Sequence, residues 1–169
     1  MKNNSKVTRL ITIGLFIALE IILTRFLSIN TPFIRIGFGF LPVAMLGIMY
    51  GPVWAGVSYA IGDVLGMLIF PSGAFFPGFT LSAALTGITF GIILYGKPVT
   101  WKRVLIASSI VCLGINLCLD TYWLYILMDR AVIAMIPARI VKSVVMLCIQ
   151  SAIIPVVWNK YLKNIIKNK

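Results

Sequence analysis

"MIPARIVKSVVML", residues 135–147, sets two cations three positions apart inside an apolar run. On a helix, Arg139 and Lys142 would then point the same way. A charge at the centre of a bilayer helix costs about 2.5–3.5 kcal/mol on insertion scales. Polar partners must therefore face this pair, and the stretch reads as one wall of a buried polar recess between membrane helices.

Composition supports the membrane. Of the 169 residues 60% are hydrophobic and 11% charged, with a mean hydropathy of +1.03. Soluble domains run about 45–50% apolar and about 25% charged, so a soluble globular fold is excluded. The length suits one compact transmembrane domain over 1–169, with no separate soluble unit. No cleavable signal peptide is expected, because the first apolar run lacks a small-residue cleavage site and continues to Leu27. The net charge of +11 lies at helix ends rather than on one soluble face, which points to a bilayer and not to nucleic acid. Cys112, Cys118 and Cys148 lie in apolar runs and read as small buried hydrophobes. With no His and no paired cysteines at zinc spacing, no metal site is expected.

A span needs about 20 mostly apolar residues. Six helices are expected, at approximately 8–27, 36–49, 53–70, 79–95, 101–128 and 130–163, making an all-α integral membrane bundle. "SINTPFIR" (28–35) and "PSGAFFPG" (71–78) are expected loops, broken by prolines. The second helix is short for a crossing, and the last two are long enough to project or tilt. Helices two and four end in similar text, "GIMYGP" (47–52) and "GIILYGKP" (91–98), which reads as two similar helix stops. Six helices put both termini on one side. That side holds Lys2, Lys6, Arg9, Lys97, Lys102, Arg103, Lys160, Lys163, Lys167 and Lys169, and no acid, so it is expected to be cytoplasmic.

"GIILYGK" (91–97) matches the opening of a phosphate-binding loop, but a membrane helix precedes it and Pro98 follows the lysine. That motif needs a strand before it and Ser or Thr after it. Any ATPase that drives transport is therefore expected on another subunit.

Counting from the outer helix ends, Glu20 lies seven residues deep, Asp63 seven, Asp120 eight and Arg139 nine. At ~1.5 Å per residue all four sit ~10–14 Å down, and Lys142 ~18 Å. A shared level is what an outward-facing polar cavity requires. The alternative is paired ions that stabilise the bundle, and it suits Glu20 and Asp63 best. Arg25, Arg35, Arg139 and Lys142 outnumber the three carboxylates, which favours an anionic ligand. Asn116, Asp120 and Trp123 follow at i, i+4 and i+7, one face of a helix. Asn and Asp can read an amide or amino edge, and Trp can stack on a ring. Phe75, Phe76 and Phe79 around Pro77 either line this pocket or form an interface belt. One ligand fits these features: a flat heteroaromatic group with carboxylates at its far end.

"TRFLSI" (24–29), "RIGFGFLP" (35–42) and "GPVWAG" (51–56) resemble the substrate-binding S components of energy-coupling factor (ECF) vitamin transporters. "FPSGAFFPGFTLSAALTG" (70–87), "NLCLDTYWL" (116–124) and "PARIVK" (137–142) are similar to the folate-specific branch. The resemblance implies a six-helix S-component bundle in the cell membrane with both termini cytoplasmic. It also implies a high-affinity vitamin site near the outer face, capped by the loop between helices one and two. The implied partners are folate or a related vitamin, a membrane coupling subunit and two cytoplasmic ABC-type ATPases. Delivery is implied to proceed by toppling of the loaded component. Family members dock through small residues on helix one, and Gly14 and Ala18 match those positions. Packing within the chain is the other use of such spacing.

Under this resemblance Asn116 and Asp120 hold a pterin edge, and Phe75, Phe79 and Trp123 enclose the rings. Arg25, Arg139 and Lys142 neutralise carboxylates or fix the network. The branch pattern has Asn where this chain has Asp120 and Asn where it has Ser143. Asp120 either accepts from the ligand or pairs with Arg139, and the second case opens the site to a related ligand. Such a ligand would be another vitamin or a purine-like precursor. An intramembrane enzyme is disfavoured because no nucleophile, base or metal cluster is visible, and no cofactor is expected. A self-sufficient channel or uniporter is the remaining class.

Overall fold

The computed structural model of the protein describes residues 2–30, 35–71 and 75–162. Five helices are long and apolar enough to cross a membrane: Lys6–Arg25, Pro52–Ile69, Pro77–Leu94, Trp101–Met128 and Val132–Lys160. Phe40–Tyr50 is a shorter sixth. The chain is a multi-pass helical membrane protein.

α1 (Lys2–Arg25) is followed by a small antiparallel ribbon, β1 (Ser28–Asn30) with β2 (Arg35–Gly37), in which Ile29 pairs with Ile36. Two expectations change here. Ser28–Asn30 and Arg35 of the expected 28–35 loop are strand, residues 31–34 lie outside the described residues, and the second helix begins at Phe40 rather than Ile36 because β2 takes up Arg35–Gly37. α2 (Phe40–Tyr50) is buried over most of its length, so it can be short without exposing its ends to hydrocarbon. Gly51, at φ +88°, turns the chain sharply into α3 (Pro52–Ile69), whose first residue is proline. α4 (Pro77–Leu94) starts the same way. Residues 91–97, the apparent phosphate loop, are the end of α4 and a turn at Gly96.

The fifth rod is α5 (Trp101–Ser109), a wide-turned π stretch (Ile110–Leu119) and α6 (Asp120–Met128). The last begins as a 3-10 turn (Asp129–Met135) and continues as α7 (Ile136–Val157). Pro155 has no N–H to give, and the helix widens into a π turn at Trp158–Leu162 just beyond it.

α3 packs most extensively on α4. A Cβ on Gly87 would meet the Ala55 backbone, and one on Gly91 would meet Pro52. A Cβ on Gly47 would lie 3.0 Å from Gly91 N. The two similar helix stops of α2 and α4 therefore abut each other, through small residues that permit close approach in lipid. Phe40, Val43, Phe90, Leu94, Val104, Val111 and Ile154 form the apolar core. They come from α2, the end of α4, the start of the fifth rod and the end of α7. The opposite ends of those last three rods are left to hold polar groups. Leu10, Ile11, Leu15, Val57, Ile106, Val141 and Val144 are exposed, as lipid-facing residues should be. Of the cysteines only Cys112 is buried; Cys118 and Cys148 are exposed on the bundle surface, against expectation. Thiols are small and apolar enough to face lipid as readily as core.

Candidate functional site

Arg139 is 5% exposed. Its Nε donates to Thr121 Oγ1 at 2.9 Å and its Nη2 to the Asn116 carbonyl at 2.8 Å. Thr121 in turn donates to the Leu117 carbonyl. α7 is thus fastened to the junction between the π stretch and α6. π turns bond i to i+5, which displaces carbonyls from the usual ladder and leaves them open to such a donor. The α-helical spacing assumed for Asn116 and Asp120 does not hold, because Asn116 lies inside the π stretch and Asp120 just after it.

Asp120 lies within electrostatic reach of Arg139, Lys142 and Asp63, with the Ser82 hydroxyl of α4 nearby. Its Oδ1 is buried and accepts no hydrogen bond among the described residues. Trp123 Nε1 donates to the same Ser82 hydroxyl at 3.2 Å. Ser82 therefore ties α4 to the indole, close to the carboxylate. The Trp123 ring packs on Phe76, with centroids 5.6 Å apart, and Phe76 meets Phe79 edge-on at 6.1 Å. A Cβ on Gly78 would stand 2.5 Å from Phe76 and 2.6 Å from Trp123, so only glycine lets these rings close over the start of α4.

The first and third helices hold the remaining charges. Asp63 accepts from Thr80 Oγ1 at 2.8 Å, which links α3 to α4. Glu20 is 4% exposed and accepts from Thr24 at 2.9 Å, against Gly39 and Gly62. The Arg25 guanidinium lies over Gly66, where an added Cβ would be 3.0 Å from its Nε. Small residues of α3 thus form notches for two charged side chains of α1.

Asp120, Trp123 and Arg139 come together through Ser82, Thr121 and the Asn116 carbonyl, with Phe76 and Phe79 on the indole and Lys142 within electrostatic reach. Phe75 does not: it is 57% exposed, and its neighbour Phe76 takes the place on the indole. Arg25 belongs to the α1–α3 seam. The Arg35 side chain and those of Asp129 and Arg130 lie outside the described residues. Ser82, Thr121 and Phe76 complete this cluster. Ser82 sits in the "FTLSAALTG" run, where its helical position alone gives no sign that it faces α6. Among the described residues no cluster of three or more His, Cys, Asp or Glu side chains could hold a metal.

Residues 8–158 match the family of ECF transporter substrate-specific components. A relative from Clostridium novyi (strain NT), named folate transporter FolT, is 49% identical over 164 residues, covering 97% of this chain and 95% of the relative. A FolT from Leuconostoc mesenteroides subsp. mesenteroides is 31% identical over 149 residues, 85% of this chain and 80% of that one. A crystal structure of FolT bound with folic acid superposes with a TM-score of 0.86 at 36% identity, over 90% of this chain and 93% of the other. With this architecture and these matches, the chain belongs to the substrate-specific components of ECF transporters.

Proposed function

We propose that this protein is the folate-capturing subunit of an ATP-driven ECF importer and takes its ligand from the extracellular side. The observation that carries the reading is the buried Asp120 Oδ1, which has no donor among the described residues and lies near the Ser82 hydroxyl that receives the Trp123 indole N–H. A pterin supplies what such an oxygen lacks, N–H donors on a flat ring. Trp123, Phe76 and Phe79 offer surfaces on which that ring stacks. Lys142 and Arg139 supply positive charge to the same recess, which suits the carboxylates of the glutamate tail. The naming of the relatives as folate transporters supports the same assignment.

Binding and delivery are separate tasks in this reading. The ligand site lies among α4, the fifth rod and α7. Gly14 and Ala18 of α1 are exposed, and an added Cβ at Gly14 meets nothing within 4 Å. Packing within the chain therefore does not explain these small residues. They serve to seat a helix of a membrane coupling subunit, which joins this chain to two ABC-type ATPases. The basic ends, including Lys6, Arg9, Lys97, Lys102 and Arg103, orient both termini to the cytoplasm.

The test is a tryptophan-fluorescence titration of the purified protein with folate and, separately, with other vitamins and purines. Saturable quenching by folate at a 1:1 ratio is expected. Tight binding of a different ring system with none of folate overturns the assignment.

A further inference from the structure

We propose that the groove between α3 and α4 is a binding site for an anionic phospholipid, with one acyl chain in the groove and the headgroup phosphate at Lys97. The groove has a volume of about 380 Å³ and only apolar residues line it. Gly56, Ala60 and Ala84 keep it open, while Val57 and Ile88 form its sides. Val57 is 50% exposed, so the groove opens on the bundle surface, away from the polar recess.

Position and charge identify the occupant. The groove begins at Pro52, the first residue of α3, and follows that helix to Ala60. Eight residues of helix rise ~12 Å, most of a ~15 Å leaflet. An acyl chain entering at the headgroup level would lie along it for that depth. Aromatic and basic residues adjoin the Pro52 end of the groove through Gly51 and the chain beside it. The Tyr95 ring rests on Gly51, where an added Cβ would lie 3.5 Å from it. Lys97 is two residues further along and exposed. Arg9 stands 5.6 Å over the ring of Tyr50, the residue before Gly51. No Asp or Glu occurs in residues 1–19 or 64–119, so no acid of these segments competes for the cations. An aromatic ring at the interface with basic neighbours attracts an anionic headgroup, whereas a zwitterionic one gains little.

The experiment is native mass spectrometry of the full chain released from nanodiscs of equal phosphatidylglycerol and phosphatidylcholine. The wild type is expected to retain phosphatidylglycerol in preference. Lys97→Gln should reduce that preference about fivefold, the worth of one basic residue at an anionic surface. Ala60→Phe fills the groove and should reduce retention of both lipids. Neither residue lies in the ligand recess, so folate titration checks that each variant is folded. Equal retention of the two lipids by the wild type, or undiminished retention by Ala60→Phe, overturns the proposal. So does cross-linking of a Val57→Cys variant to a copurified protein or to a second copy of the chain, which would show a helix in the groove instead.

Discussion

Arg139 Nη2 lies 2.8 Å from the carbonyl oxygen of Asn116, so the cation of α7 is held by the backbone of the π stretch and not by a carboxylate alone. The bond uses the Asn116 backbone and not its side-chain amide. Arg139 is in this sense a positioning residue. It fixes where Asn116 and Asp120 stand, and it lends positive charge to the recess.

Arg139→Ala removes both donors, leaving the Thr121 hydroxyl with only its bond to the Leu117 carbonyl and the Asn116 carbonyl without its cationic donor in a part-buried setting. The cost should be about 2 kcal/mol in stability, within the range for bonds to charged groups and between membrane helices. Folate affinity should fall more than tenfold, beyond about 1.4 kcal/mol. Arg139→Lys should recover little, because an ammonium cannot reproduce the guanidinium fork at two fixed acceptors. Thermal melting in detergent and fluorescence titration read the two effects separately. Unchanged affinity in Arg139→Ala would remove Arg139 from the site.

Asp120 presents a buried oxygen without a donor among the described residues. Asp120→Ala should weaken folate by at least tenfold. Asp120→Asn keeps one carbonyl acceptor at the same size, exchanging the other oxygen for an NH2 donor and losing the charge, and its affinity should stay within tenfold of the wild type. Isothermal titration of both variants decides this. A loss in Asn as large as in Ala would mean that the charge, held by Arg139 and Lys142, matters more than the hydrogen bond.

The membrane class and the six rods could be read from hydropathy and prolines, because a bilayer demands long apolar runs and proline marks helix starts wherever it falls. The polar cluster around Arg139 was legible in outline, since charges buried in separate helices must face polar groups rather than lipid. Its detail was not. The π stretch at Ile110–Leu119 breaks the 3.6-residue period on which the face of Asn116, Asp120 and Trp123 was counted. No local sequence signal separates π from α turns in an apolar helix; the carbonyl shift shows only against the partner, Arg139. Phe75 and Phe76 are adjacent and chemically identical, so only the geometry of the Pro77 turn decides which one meets Trp123. Glu20 and Arg25 lie toward the C-terminal end of α1, yet they are received by Gly62 and Gly66 of α3. Charge at one level did not require one cavity.

Docking and binding should separate in Gly14→Leu and Ala18→Leu. Both positions are exposed and Gly14 has open space around it, so the isolated variants should fold and bind folate as the wild type does. With a coupling subunit and ATPases in proteoliposomes, ATP-dependent uptake should drop more than tenfold, since a leucine holds the partner helix away. Wild-type uptake by these variants would place the docking face elsewhere on the bundle.

The same logic of small residues predicts opposite outcomes at two glycines. A Cβ on Gly91 would run into Pro52 and Gly51, both backbone, where neither helix can yield without moving the α2–α3 turn. Gly91→Ala should therefore destabilise the protein by about 2–3 kcal/mol, as overpacking does in tight contacts. At Gly14 an added Cβ meets nothing, so Gly14→Ala should leave stability unchanged or raise it slightly through helix propensity. Melting curves of the two variants in one detergent make the comparison. Equal stability of the pair would mean that α2, α3 and α4 do not pack as closely at this end as the Gly47–Gly91 contact requires.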